Sequence, residues 1–287
     1  MKTIGFIGLG VMGRSMVRNL IKNGYPAVLY TRTKAKAGEL LREGAEWRDT
    51  PREVAEASDV IITMVGYPHD VESVYFGNKG IFEGAGEGKI VIDMTTSTPT
   101  LAKKISDEAL KYGMAALDAP VSGGDIGAKN GTLSIMAGGS EKIFNEVRSI
   151  FSVLGNNIVF HGGAGAGQHA KMCNQIAIAS NMIGVTEALV YARKAGLDAE
   201  KMLESISTGA AGSWSLSNLI PRVLKEDYSP GFFIKHFIKD MGIAIEEAKK
   251  MELELPGLEL AQKMYQTLAA KGEEDSGTQA LIKYWSK

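Results

Sequence analysis

Lys2 to Ile7 forms a short apolar run that leads directly into Gly8-Leu9-Gly10-Val11-Met12-Gly13, and Arg14 to Lys22 then shows helical periodicity that ends before Gly24. A strand that enters Gly-x-Gly-x-x-Gly and leaves as a helix restricts the fold more than any other stretch of this chain. Gly8 permits a tight turn, Gly10 lets the backbone approach a pyrophosphate, and Gly13 lets the helix lie close to the strand. The first N–H groups of the helix then face the phosphates. The expected fold is α/β, opening with a dinucleotide-binding unit; a glycine-rich turn without a ligand is the plainer alternative.

Ala27 to Tyr30, Val60 to Val65 and Ile90 to Met94 are further apolar runs, each after a helical stretch. That alternation is the pattern of a parallel sheet wrapped by helices. In an open sheet of this kind, ligands bind beyond the carboxyl ends of the strands. The rule selects Met64 and Val65, Thr96 after Asp93-Met94-Thr95, and the residues that follow Tyr30. An NAD site usually has an acid at the end of the second strand, but Thr31, Arg32 and Thr33 stand there, with Lys36 nearby and no acid before Glu39. A guanidinium pairs with a 2′-phosphate through two parallel hydrogen bonds, so NADP is the expected cofactor and NAD the second candidate.

Ser97-Thr98-Pro99 starts another helix, and Ala115 to Leu117 is a strand that leads into Asp118 and then Ser122-Gly123-Gly124. A serine followed by two glycines exposes several N–H groups in a concavity suited to a carboxylate. A bare tight turn explains the same residues. Thr132 to Ala137 and Asn157 to Phe160 are the last strands, flanking a helix from Ser140 to Leu154, and His161 to Gly165 form a hinge.

The segment from Gly165 to Gly196 has no proline and is rich in Ala, Met, Ile and Leu, which predicts one helix of roughly 28 residues, about 42 Å long. A helix of that length can belong to two domains, and its apolar middle is expected to be packed on most sides. Lys171, Asn174 and Gln175 share a face at i, i+3 and i+4. A lysine near a helix start is often a surface residue that snorkels. Beyond this helix the strand signals stop. Asp198 and Ser213 are helix caps, and Lys239 to Met251, Pro256 to Lys271 and Thr278 to Tyr284 are helical. The expected division is residues 1–163 and an all-α part, 164–287, in which Trp214 and Phe233 lie outside any surface periodicity.

Charge narrows the partners. The 32 basic and 33 acidic residues form no long run of either sign, which argues against nucleic acid or an acidic membrane as partner. The single cysteine, Cys173, allows no internal disulfide and fits a reducing compartment, so the cytoplasm is expected. No apolar run reaches the length of a membrane span, and no metal site is expected.

Gly8 to Gly13, Asp118 to Gly124, Gly165 through Lys171 to Asn174, and Lys239-Asp240 together resemble the β-hydroxyacid dehydrogenases. These include 3-hydroxyisobutyrate dehydrogenase, tartronate semialdehyde reductase and the glyoxylate/succinic semialdehyde reductases. The resemblance runs through the whole chain in order. It implies a Rossmann-type N-terminal domain joined by a long helix to a helical C-terminal domain, usually in a homodimer or homotetramer. The implied reaction is hydride transfer between a nicotinamide and a small 3-hydroxy acid or its semialdehyde, with glyoxylate or succinic semialdehyde reduction as the close alternative. Lys171 would be the catalytic lysine and Asn174 would hold the substrate oxygen. Ser122, Gly123 and Gly124 would bind the substrate carboxylate, and Thr96 and Lys239 would contact the cofactor. An imine reductase shares the architecture but resembles a version with another residue at the lysine position. A catalytically silent cofactor-binding protein would have lost Lys171, Asn174 or the Ser-Gly-Gly turn, and all three are present.

Overall fold

The computed structural model describes residues 1–84 and 86–286, and it divides into two compact units, Met1–Lys171 and Met172–Lys287. Strands β1 (Ile4–Ile7), β2 (Ala27–Tyr30), β3 (Glu46–Trp47), β4 (Val60–Thr63), β5 (Ile90–Asp93), β6 (Ala115–Asp118), β7 (Val121–Ser122), β8 (Leu133–Gly139) and β9 (Gly155–Gly162) build one sheet in the first unit. Its order is β3-β2-β1-β4-β5-β6-β8-β7, with β9 paired to β8. The strands from β3 to β6 are parallel.

Alternation of side chains assigns the apolar residues of these strands to two layers. Phe6, Leu29, Ile62 and Ile92 face one core, with Met16 and Leu20 of the helix Val11–Lys22 and Phe144 and Phe151 of the helix Glu141–Leu154. Ile7, Val28, Ile61 and Val91 face the other, with Val54, Val71 and Ile105 from the helices Pro51–Glu56, Pro68–Phe76 and Pro99–Lys111. Because both faces are covered, these strands read as continuous apolar runs.

The sheet departs from the expected all-parallel pattern at β8, which is antiparallel to β6 and β7. The chain between β6 and β8 forms β7 and the seven-residue helix Gly124–Asn130, which turns it back. The expected strands over Val60 to Val65 and Ile90 to Met94 end earlier, at Thr63 and Asp93. Thr98 is the residue that caps the next helix, accepting a hydrogen bond from Leu101 N at 3.0 Å.

A single helix, Ala166–Lys194, runs from the first unit into the second. Its start is fixed by residues far away in sequence. The Asp118 carboxylate at the end of β6 accepts hydrogen bonds from Gly165 N and Gln168 N, both at 2.8 Å, and so caps the helix from outside it. The backbones approach closely there: a Cβ on Gly167 would lie 2.3 Å from Met136 O, and one on Gly138 would lie 2.7 Å from Gly167 N. Further along, the helix is less covered than its composition predicts. Cys173, Ala177, Ser180, Gly184, Glu187 and Tyr191 form an exposed seam, because three of them are too small to require burial and Glu187 is charged.

The second unit is helical. Ala199–Ser207, Trp214–Asn218, Ile220–Leu224, Ile234–Lys250, Pro256–Leu268 and the 3₁₀ helix Thr278–Trp285 follow the long helix. Asp198 and Ser213 cap the first two of these as expected, accepting from Glu200 N and Leu216 N. The helix expected from Lys239 starts at Ile234, since Ile234, Phe237 and Met241 already face the core beside Tyr265 and Leu268. Tyr265 is fully buried, and its hydroxyl is satisfied by Thr278 O at 2.9 Å. Among the described residues no helix is long and apolar enough to cross a membrane.

Replacing Asp118 with alanine leaves two helix-start N–H groups without their acceptor. The expected loss of stability is about 2 kcal/mol or more, read as a lower urea midpoint at unchanged m-value.

Candidate active site

Strand order reverses at β1, with β2 on one side and β4 on the other, and the crevice beyond the carboxyl ends of such strands is where an open sheet accepts a ligand. The glycine loop lies there. Gly8 has φ +106°, and a Cβ on it would stand 2.2 Å from Met64 O, so the turn off β1 is pressed onto the end of β4. Gly13 has no more room, with Gly8 O 2.0 Å from its would-be Cβ. Gly10 differs: a Cβ there meets no protein atom within 4 Å, and its φ of −73° suits any residue. The fold therefore requires glycine at positions 8 and 13 but not at 10. A bare Cα at position 10, at the N-cap of Val11–Lys22, fits the close approach of a pyrophosphate. Leu9 is buried beneath the loop, and Val11 and Met12 begin the helix.

Thr31, Arg32 and Thr33 follow β2, and Lys36 lies in the 3₁₀ turn Lys34–Ala37. Arg32 has a partner that sequence reading missed. Its Nη1 lies 2.9 Å from Asp70 Oδ1, while the arginine side chain is 81% exposed and the aspartate 10% exposed. Asp70 also accepts from Tyr67 N at 3.2 Å at the start of its own helix, so the carboxylate is fixed at both ends. The guanidinium is thus held at one nitrogen and open to solvent at the others.

Beyond β4 and β5 the loops are tied together. Val65 N donates to Thr95 Oγ1 at 3.0 Å, and Thr95 N donates to Asp93 Oδ1 at 3.1 Å. Asp93 also accepts from the Thr63 hydroxyl at 2.7 Å. Burial pushes the Asp93 carboxyl up to about 6, against the opposing effect of the Thr63 and Thr95 hydrogen bonds. Burial likewise raises Asp118, although backbone N–H groups at Gly165 and Gln168 pull the other way.

Gln168 is fully buried and joins these loops to the long helix. Its Oε1 accepts from Ser97 N at 2.9 Å, and its Nε2 donates to Thr95 O at 2.8 Å. The half-buried Thr96 is bracketed by those two contacts. Lys171 follows one turn later and is 6% exposed. A lysine this buried is not the snorkelling surface residue of the plainer reading. Gln168 and Asp118 both lie inside the motifs, and only their distant partners reveal what they do.

Ser122 ends β7 half-buried, beside Ser134 in register. Gly123 and Gly124 have φ of +126° and +63°, so the backbone requires glycine at both positions whether or not an anion binds. Both readings of this turn therefore remain consistent with its shape.

Asn174 and Lys239 belong to the helical unit. Asn174 Nδ2 donates to Gln175 Oε1 at 2.7 Å, and Gln175 Nε2 donates to the buried Asp240 Oδ2 at 2.7 Å. Lys239 Nζ lies 2.8 Å from Asp240 Oδ1, an ion pair outside hydrogen-bonding geometry. Phe233 packs edge-on to His236 at 5.7 Å between ring centroids, whereas Trp214 is mostly exposed. Among the described residues no group of three or more His, Cys, Asp or Glu could hold a metal ion.

Residues 3–163 match the NAD-binding domain of 6-phosphogluconate dehydrogenase. Residues 165–285 match the family described as NAD-binding of NADP-dependent 3-hydroxyisobutyrate dehydrogenase. An uncharacterized oxidoreductase of Bacillus subtilis (strain 168), YkwC, is 61% identical over 286 residues, covering 100% of this chain and 99% of that protein. The 2-hydroxy-3-oxopropionate reductase of Escherichia coli (strain K12) is 41% identical over 279 residues, covering 97% and 95%. The solved structure of Mycobacterium tuberculosis 3-hydroxyisobutyrate dehydrogenase with L-serine superposes with a TM-score of 0.91 at 30% identity, covering 100% of both chains.

Gly10→Ala separates a folding role from a binding role at the loop. The variant is expected to keep the parent melting temperature within a few degrees. Its cofactor Kd, from quenching of protein fluorescence, should rise at least about tenfold, about 1.4 kcal/mol.

Proposed function

The chain belongs to the β-hydroxyacid dehydrogenase family and is an NAD(P)-dependent oxidoreductase, and from that premise we propose that it transfers hydride between NADP and a small 3-hydroxy acid or its semialdehyde. The observation that carries this reading is the anchoring of Lys171. The helix that bears it is capped by Asp118 and tied through Gln168 to the loop after β5, so the backbone that carries the lysine is anchored at the end of β6, which supports this reading.

When bound, the nicotinamide accepts or supplies the hydride at its C4. Lys171 Nζ takes the hydroxyl proton as the alcohol is oxidised and returns it as the carbonyl is reduced. Asn174, one turn on, holds the substrate oxygen, and Ser122 with the N–H groups of Gly123 and Gly124 receives the carboxylate. Gly8 to Gly13 cradle the pyrophosphate, and Met64, Val65, Thr96 and Lys239 complete the cofactor contacts. Arg32, supported by Thr31, Thr33 and Lys36, takes the 2′-phosphate with the guanidinium nitrogens that Asp70 leaves outward.

Reduction of a short semialdehyde is the second reading, favoured by the similarity to 2-hydroxy-3-oxopropionate reductase. The single cysteine supports the cytoplasm as the site of action. The family resemblance supports a homodimer or homotetramer.

A panel of short hydroxy acids and semialdehydes, followed by nicotinamide absorbance, tests the substrate class. Lys171→Ala should lower kcat by about 10²–10⁴-fold with cofactor binding nearly intact. Near-parental turnover at the pH optimum would remove Lys171 from its role. The ratio of kcat/KM for NADPH to that for NADH should be roughly ten to a hundred. Combining Thr31→Asp with Arg32→Ala should reverse it, and a preference of the parent for NADH would overturn the cofactor assignment.

A further inference from the structure

Two buried side chains of the helical unit have no place in the chemistry outlined so far. Gln175, one residue beyond Asn174, and Asp240, beside Lys239, are each 1% exposed. They form an unbroken chain with Asn174: the Asn174 amide donates to Gln175 Oε1, and the Gln175 amide donates to Asp240 Oδ2, each at 2.7 Å.

A side-chain amide has a donor end and an acceptor end of nearly equal size, and its orientation is set by its partners. An ionised carboxylate only accepts. With Asp240 at the end of the chain, Gln175 must turn its nitrogen toward the carboxylate and its oxygen toward Asn174. Asn174 must in turn offer Gln175 its nitrogen. Either amide flipped would set two acceptors, or two donors, against each other at hydrogen-bond distance in a buried site, where an unmade bond costs most. Lys239 Nζ lies 2.8 Å from the other oxygen of Asp240.

We propose that Gln175 and Asp240 are positioning residues that fix the polarity and rotamer of the Asn174 amide: Gln175 takes one N–H of Asn174 Nδ2, and the second N–H is left to donate to the substrate oxygen, which as a carbonyl or developing alkoxide only accepts. The inference rests on the reading that Asn174 holds the substrate oxygen. It adds that a residue touching no substrate decides which end of Asn174 the substrate meets. Glutamine suits the middle position because it must accept at one end and donate at the other, which a methionine of similar length cannot do.

The test compares Gln175→Met, Gln175→Glu, Asn174→Ala and the double change Asn174→Ala with Gln175→Met in the full-length protein, with melting temperature as the folding control. Gln175→Met should lower kcat/KM for the hydroxy acid by roughly ten- to a hundredfold while the cofactor KM stays within about twofold. The double variant should be no worse than Asn174→Ala alone by more than about twofold, since both changes remove one function. Gln175→Glu carries the test if methionine disturbs the packing. As a neutral acid it can donate to Asp240 and accept from Asn174, whereas as a carboxylate it cannot donate. The neighbouring Asp240 charge raises such a group, Lys239 and Lys171, four residues back on the same helix, oppose that, and His236 interacts electrostatically with Asp240. Gln175→Glu should therefore approach parental kcat/KM at low pH and lose it as pH rises, a limb absent from the parent. Parental kcat/KM in a folded Gln175→Met variant, additive losses in the double variant, or a Gln175→Glu profile that parallels the parent would each overturn the proposal while leaving the role of Asn174 intact. Full activity in Asn174→Ala would overturn both.

Discussion

The Asp118 carboxylate binds the start of the long helix to the sheet, and most of the candidate site depends on that contact. A helix start presents N–H groups without intrahelical partners, and an anion placed there satisfies them with full charge. Asp118 is buried at the end of β6, with its oxygens on Gly165 N and Gln168 N. Gly138 and Gly167 let the backbones come close enough for those bonds to form. Burial alone would keep this carboxyl protonated more readily, and the N–H groups offset part of that effect. Because the helix is seated this way, Gln168 reaches the loop after β5 with both ends of its amide, and Lys171 is carried on a rigid support.

The glycines show how the demands of folding and of binding can be told apart. At positions 8, 13, 123 and 124 either the space or the backbone angle already excludes a side chain. Only Gly10 in the loop is free of both constraints, so it alone points to something outside the protein's own packing. The Ser-Gly-Gly turn gives no such separation. Its glycines are needed for the chain to turn from β7 into Gly124–Asn130, and Ser122 is the residue whose chemistry is not prescribed by the fold.

At three places one carboxylate holds a polar partner in a fixed position. Asp118 seats the helix, Asp70 holds Arg32 by one nitrogen, and Asp240 orients Gln175 and through it Asn174. In each case the carboxylate is largely buried. Such an arrangement pre-orders flexible or ambiguous side chains before a ligand arrives, which lowers the cost of ordering them on binding.

The sequence by itself determined what is written locally. The order of strands β1, β2, β4, β5 and β6 was legible because buried strands read as unbroken apolar runs, and the long helix was legible because it has no proline and closes on Gly196. Gly8 to Gly13 stood out by residue type and spacing between a strand and a helix, whereas the roles expected of Lys171 and Asn174, and the choice of a carboxylate site over a bare turn at Ser122 to Gly124, came from the family resemblance and not from local pattern. Tertiary structure alone decided which side chains meet at long range: Asp118 with Gln168 across 50 positions, Gln175 with Asp240 across 65, and Arg32 with Asp70 across 38. It also decided that β8 runs antiparallel and that the middle of the long helix keeps an exposed seam. The reason is that local periodicity records which face of a segment is apolar but not which segment covers it. A buried hydrogen bond leaves no repeat in the sequence at either of its ends; it is specified only when packing brings donor and acceptor within about 3 Å.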